Sequence, residues 1–237
     1  MTHIMGKHAV EELLLHSPER LQQLFVLHSK EHSPLVHACR KAGIEVSFAR
    51  ADELNRMAGS EAHQGFVGRI KARAYVELKE FFAQMEEDQP LVVLMLDQIF
   101  DPQNFGALLR AAECFGVGAV VWSKNRGCDL TPAVAKASCG ASELVPLIQV
   151  SNLAETAERF KREGFEVVAS ILDEQAESLY GFTFAPRTLL IMGSEGEGIQ
   201  PLLRKKSDRA VYIPMRGKVA SLNVSQAASV LLSYACK

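Results

Sequence analysis

Leu91-Val-Val-Leu-Met-Leu-Asp-Gln-Ile-Phe-Asp-Pro-Gln-Asn-Phe-Gly-Ala-Leu-Leu-Arg110 is the stretch from which the architecture can be read. Its first six residues are apolar without alternation, the pattern of a strand buried on both faces. Asp101-Pro102 and Asn104 then carry the polar start signals of a helix, and apolar residues recur through that helix at helical spacing. A buried strand that runs at once into an amphipathic helix is half of a βαβ unit, and the same alternation continues to the end of the chain. Apolar stretches at 119–122, 144–148, 166–170, 188–192 and 210–213 predict strands, while 104–115, 132–139, 153–163, 199–205 and 223–234 predict helices. The pattern is of the α/β class: a parallel sheet covered on both faces, over residues 91–237.

Upstream, shorter periodic segments predict helices at 7–15, 35–41 and 52–57 and strands at 24–28, 44–48 and 65–72, a small α/β domain over residues 1–74. Residues 75–90, with one lysine against five acids, predict a linker. Charge supports this division. Residues 1–74 hold ten Lys and Arg against eight acids and all seven histidines, whereas 91–237 balance at fifteen each. The second domain therefore lacks the side chain most often used as a general base near neutral pH, and its chemistry must rest on other groups.

Composition narrows the class further. With 237 residues, 48% hydrophobic and 23% charged, and a net charge of −2, the chain reads as a soluble globular protein. A strongly basic nucleic-acid coat is excluded, but local basic patches are not. The longest apolar stretches fall far short of the ~20 residues of a membrane span, and no basic n-region opens the chain, so a cytoplasmic protein with no membrane partner is expected. Five cysteines without a CxxC or metal-type spacing read as reduced thiols, and no metal is expected.

In an open α/β sheet, ligands bind beyond the carboxyl ends of the strands, and three loops there are unusual. In the first, Asn104 and Arg110 lie six residues apart, less than two helical turns, so both could face the strand ends. An Asn104 N-cap and an exposed Arg110 explain the same spacing equally well. In the second, Ile191-Met-Gly-Ser-Glu-Gly-Glu-Gly-Ile199, Gly193, Gly196 and Gly198 permit positive φ angles and close backbone approach. It has the look of a dinucleotide fingerprint, but Glu195 and Glu197 would repel a pyrophosphate, and too little chain follows for the rest of such a unit. The third, Ile213-Pro-Met-Arg-Gly-Lys-Val-Ala-Ser-Leu-Asn-Val-Ser225, leads into the last helix, which Ser221 or Asn223 can cap.

Together these loops resemble the three motifs of the SpoU/TrmH-type RNA 2′-O-ribose methyltransferases of the SPOUT superfamily, in that family's order and spacing. The motifs stand here as Asn104 to Arg110, Gly193-Ser-Glu-Gly-Glu-Gly198, and Ile213-Pro-Met215 with Ser221-Leu-Asn-Val-Ser225. Gly6-Lys-His-Ala-Val10 and Ala62-His-Gln-Gly65 are similar to the family's L30e-like RNA-binding extension, so the resemblance spans essentially the whole chain. It is nearest to the bacterial branch that methylates a guanosine in 23S rRNA.

The resemblance implies a fold: an L30e-like domain followed by a SPOUT domain that ends in a deep trefoil knot, a feature that periodicity alone would never propose. It implies S-adenosyl-L-methionine as cofactor, held by Gly193, Ile213, Met215, Ser221 and Leu222. It implies a catalytic set of Asn104, Arg110, Glu195, Ser221 and Asn223, and a homodimer acting on RNA rather than DNA. A guanidinium stays protonated in proteins, so Arg110 is expected to bind the reacting nucleotide's phosphate and hydroxyl rather than to act as a base. Methylation of tRNA or of another rRNA site, or a silent RNA-binding role in ribosome assembly, are the alternatives. The basic residues available for RNA are Arg69, Lys71, Arg73, Arg126, Lys136, Arg204 to Lys206, Arg216 and Lys218.

Overall fold

The structure is a computed structural model, describing residues 2–71, 73–86, 89–173, 175–194, 196–219 and 221–237. Its elements begin with β1 (Thr2–Met5), α1 (Lys7–His16), β2 (Leu21–Leu27), α2 (Pro34–Lys41), β3 (Glu45–Ala49), α3 (Ala51–Ala58), β4 (Phe66–Ile70) and α4 (Leu78–Ala83). They continue with β5 (Leu91–Leu96), α5 (Pro102–Cys114), β6 (Ala119–Ser123), α6 (Pro132–Ala137), β7 (Leu147–Val150), α7 (Leu153–Arg162) and β8 (Glu166–Ser170). Last come β9 (Glu177–Ser178), β10 (Arg187–Met192), α8 (Pro201–Lys205), β11 (Arg209–Tyr212) and α9 (Val224–Ala235). The chain divides into two compact units, Met1–Ala74 with Leu130–Leu144, and Tyr75–Asp129 with Val145–Lys237.

In the first unit the described strands form a four-stranded mixed sheet, ordered β1-β4-β2-β3. β2 runs parallel to β3, and β4 antiparallel to both β1 and β2. Val10 and Leu13 from α1, Leu24 and Val26 from β2, and Val36 and Cys39 from α2 fill its core. The two sequence motifs of this unit meet. Gly6 turns the chain at φ 94°, its N–H donates to Phe66 O at 3.0 Å, and the Lys7 N–H at the start of α1 donates to Gln64 Oε1 at 3.0 Å. His63 is a packing residue: its Nδ1 accepts from Gly65 N at 2.9 Å, its Nε2 faces Asn55 Oδ1 at 2.9 Å, and burial pulls its pKa down.

The helix expected at 132–139 forms, as α6 under a Thr131 cap, but it packs on β1 of the first unit. Residues 130–144 are held there by the Arg20–Glu143 ion pair and by Arg73, which donates to Ser142 O. The division at 91 is thus displaced. Residues 75–90, expected as a linker, contain α4, whose Leu78 and Phe81 join the core of the second unit. Phe82 packs edge-on against Phe160 with ring centroids 4.9 Å apart while Glu77, Glu80 and Glu86 are exposed, which explains why charge alone misled.

The second unit is built on a seven-stranded sheet of described strands, ordered β7-β6-β5-β10-β8-β11-β9, with every pair parallel. β5 and β10 form its centre in the register Leu91↔Arg187 to Leu96↔Met192. From β5 the chain steps outward through β6 and β7, then crosses to β8 on the far side of β10. A sheet whose strand order reverses in this way opens a crevice at the carboxyl ends flanking the reversal.

Candidate active site

Two clefts open beyond those carboxyl ends. The larger, about 740 Å3, lies past β8, β10 and β11 and is lined by Gly193, Ser194, Ile213, Met215, Ser221 and Leu222 among others. All five residues expected to hold a cofactor therefore border one cavity. Ile171, Leu172 and Ile199 give it apolar walls, and Glu197 and Arg204 bring charge to its lining. A pocket of this size with apolar walls and a few polar groups suits a small amphipathic molecule.

The glycine-rich loop is shaped by contact more than by unusual backbone angles. Ser194 and Gly198 form an isolated antiparallel bridge, Ser194 N to Gly198 O at 3.2 Å and Gly198 N to Ser194 O at 3.1 Å. Gly198 has φ 68°. Gly193 does not, yet a Cβ there would stand 2.3 Å from Gly198 C and 2.5 Å from Ile199 N. Gly196 meets neither restriction. Of the three glycines, one is required by close approach and one by conformation.

Asn104 and Asn223, 119 residues apart, are joined directly: Asn223 Nδ2 donates to Asn104 Oδ1 at 2.8 Å. Asn223 Oδ1 accepts from Ser225 N at 2.9 Å and from Ser225 Oγ at 2.6 Å, which fixes the amide's orientation. Asn223, not Ser221, is therefore the cap of α9, and Ser221 stands exposed on the larger cleft. Likewise Asp101, whose Oδ2 accepts from Asn104 N at 2.8 Å, is the cap of α5, which leaves the Asn104 side chain for Asn223. Since α5 packs along α9, the link ties the first motif to the third beside the cleft's Ser221-Leu222 wall.

Arg110 sits on α5 and is exposed. Six positions along a helix carry it about 9 Å down the axis and about 120° around from Asn104, so the two do not share a face. Glu195 lies outside the described residues. Of the basic residues marked for RNA, Arg73 is engaged with Ser142 O, Arg204 with Asp173, and Lys206 with Glu158 at 3.2 Å, whereas Arg216 and Lys218 are exposed. Among the described residues no group of three or more His, Cys, Asp or Glu could hold a metal ion, and no helix is long and apolar enough to cross a membrane.

One residue of the site escaped the sequence reading. Asp97, fully buried at the end of β5, accepts from Gln200 N at 2.7 Å and from Gln200 Nε2 at 3.1 Å, so it pins the far end of the glycine-rich loop to the centre of the sheet. Burial raises its pKa, opposed by the two Gln200 bonds and by the Arg126 charge. The available signal was a carboxylate placed directly after six apolar residues.

Several known proteins are similar to this chain. The SpoU rRNA Methylase family matches residues 91–233, and the domain described as RNA 2′-O ribose methyltransferase substrate binding matches residues 3–76. The 23S rRNA (guanosine-2′-O-)-methyltransferase RlmB of Escherichia coli (strain K12) is 40% identical over 240 residues, covering 99% of this chain and 97% of that protein. A putative RNA methyltransferase of the TrmH family from Porphyromonas gingivalis superposes with a TM-score of 0.75 at 27% identity, over 98% of this chain and 88% of that one. The SpoU methyltransferase AviRb from Streptomyces viridochromogenes, solved with AdoMet, shares the fold with a TM-score of 0.80 at 22% identity, over 99% and 88% of the two chains. By its motifs, its sheet and these likenesses over nearly its full length, the chain belongs to the SpoU rRNA methylase family.

Proposed function

We propose that this protein transfers a methyl group from S-adenosylmethionine to the ribose 2′-oxygen of a guanosine in 23S rRNA, in the peptidyl-transferase region. The observation that carries the reading is the near-full-length likeness to RlmB, covering the substrate-binding and methylase segments alike. The larger cleft fits the cofactor: its volume and apolar walls suit an adenosyl group, and Glu197 offers a carboxylate to a cationic ligand. Gly193, Ile213, Met215, Ser221 and Leu222 would hold it, and when bound it supplies a methyl group already attached to its leaving group.

What remains for the chain is mainly alignment. The Asn104–Asn223 pair holds α5 against the start of α9 and so fixes the geometry around Ser221. Arg110 binds the reacting nucleotide's phosphate and hydroxyl, with Glu195 balancing its charge. The first unit, of L30e-like type, captures the RNA. The parallel order β10-β8-β11 and the return of α9 to pack along α5 fit a carboxy-terminal trefoil knot. The working form is a cytoplasmic homodimer.

Purified protein incubated with labelled S-adenosylmethionine and separate 23S rRNA, 16S rRNA and tRNA transcripts tests the reading. Label in 23S rRNA is expected. Label confined to tRNA would refute the substrate, and absence of both label and cofactor binding would refute the activity.

A further inference from the structure

The smaller cleft, about 430 Å3, lies past the carboxyl ends of β5, β6 and β7, and the reaction described above leaves it without a task. Its polar lining comprises Ser123, Asn125, Arg126, Ser151, Asn152 and Gln200. Behind Gln200 lies the buried Asp97, and the three residues form a chain of hydrogen bonds with a defined polarity. Asp97 can only accept when ionised, so it takes the Gln200 N–H and Nε2, and this turns Gln200 Oε1 outward to accept from Arg126 Nη1 at 2.5 Å. The guanidinium is thereby aimed while four of its five N–H donors are not used by Gln200. Lys124 adds a second exposed cation on the same loop.

We propose that this cleft is a second RNA-contact site, in which Arg126, oriented by the Asp97–Gln200 relay, binds a phosphodiester of the substrate strand away from the methylated sugar. A guanidinium, three side-chain amides and two hydroxyls form a lining rich in donors, matching a ligand that carries one negative charge and accepts only. Among the described residues that line the cleft, the one other ionisable group is Asp97, which is fully buried. Contacts of this kind set the register of a strand without reading its bases. Because Gln200 also ends the glycine-rich loop, the relay joins RNA seating to the wall of the larger cleft. The inference rests on the methylation of RNA proposed above.

The test compares wild type with Arg126→Ala and Asp97→Asn, reading the Kd for a 23S rRNA fragment across a salt series and the cofactor Kd by calorimetry. Arg126→Ala is expected to weaken RNA binding about tenfold, the loss of one charge-assisted contact. It should also lower the slope of log K against log salt by about 0.7 to 0.9. The cofactor Kd should stay within twofold of wild type. In Asp97→Asn the Gln200 amide must invert to suit its new neighbour and presents a donor to Arg126, so RNA affinity falls in the same way. An Arg126→Ala protein with wild-type affinity and slope would overturn the inference while leaving methylation by the wild type intact. A weaker Kd with an unchanged slope would overturn the phosphodiester as ligand. A wild type that neither binds nor methylates RNA would instead bring down the functional reading beneath it.

Discussion

Replacing Gly193 by alanine is the sharpest perturbation of the larger cleft. The added Cβ would meet backbone on three sides, 2.3 Å from Gly198 C, 2.4 Å from Gly198 O and 2.5 Å from Ile199 N, whereas ordinary contact begins at 3.4 Å. No side chain is present to swing away, so β10 and the 194–199 loop must part by about 1 Å, breaking the Ser194–Gly198 bridge. Overpacking of this kind costs about 1–3 kcal/mol, roughly 2–4 °C of Tm for each kcal/mol in a chain of this size. If the same strain falls on the cleft, the cofactor Kd rises by about 5- to 150-fold. Gly196→Ala is the control, since nothing lies within 4 Å of its Cβ and its φ is not positive, and it should stay within about 0.5 kcal/mol of wild type. Gly198→Ala, at φ 68°, should fall between, at about 1–2 kcal/mol. Thermal unfolding and titration calorimetry read all three variants. A Gly193→Ala protein with wild-type Tm and cofactor affinity, or a Gly196→Ala protein damaged more than it, would refute this account of the loop.

Four other outcomes follow from particular contacts. Asn223→Ala should cost about 1 kcal/mol through the lost α9 cap, and a double-mutant cycle with Asn104→Ala, read by denaturant unfolding, should show coupling of at least 0.5 kcal/mol; additive losses would mean that the 2.8 Å bond carries no energy. Arg110→Lys should lower methyl transfer at saturating RNA by tenfold or more while leaving cofactor affinity in place, because an ammonium does not reproduce the planar fork. Arg20→Ala should destabilise the first unit by about 3–5 kcal/mol, since it leaves Glu143 unpaired with only 6% of its side chain exposed; hydrogen exchange confined to that unit, including 130–144, would locate the loss. His63 is held neutral by burial, its pKa lying below the usual 6.5. Its contribution is present above pH 6.5 and lost as pH falls through the lowered value, so urea midpoints at pH 7.5 and 5.5 should differ less in His63→Ala than in wild type.

What the sequence made legible was local. β5 and β10 are continuous apolar runs buried on both faces, and the α5, α7 and α9 starts carry their own capping residues, so period and caps located them to within a few residues. Elements whose identity depends on distant partners were hidden. β1 is four residues long and forms only by pairing with β4 some 65 residues on. α4 looks like an acidic linker until Phe81 and Phe82 meet Phe160. The segment at 130–144 belongs to the first unit because of Arg20 and Arg73, which no spacing rule connects to it.

The candidate site divides along the same line. The residues that the family resemblance assigns to the cofactor lie in loops of unusual composition, and they border one cavity. The Asp97–Gln200 tie spans 103 residues and joins two ordinary side chains, so only the folded sheet reveals it. The choice between Asn104 as cap and Asn104 as partner of Asn223 needed Asp101 to be seen in the capping position.

The most direct measurement is alkaline hydrolysis mapping of a 23S rRNA transcript after incubation with the purified protein and S-adenosylmethionine. Protection of the linkage after a single guanosine, absent when S-adenosylmethionine is left out, is the predicted result. A ladder identical with and without protein, under conditions where the cofactor is bound, would contradict the central claim that this fold directs a methyl group onto a ribose oxygen.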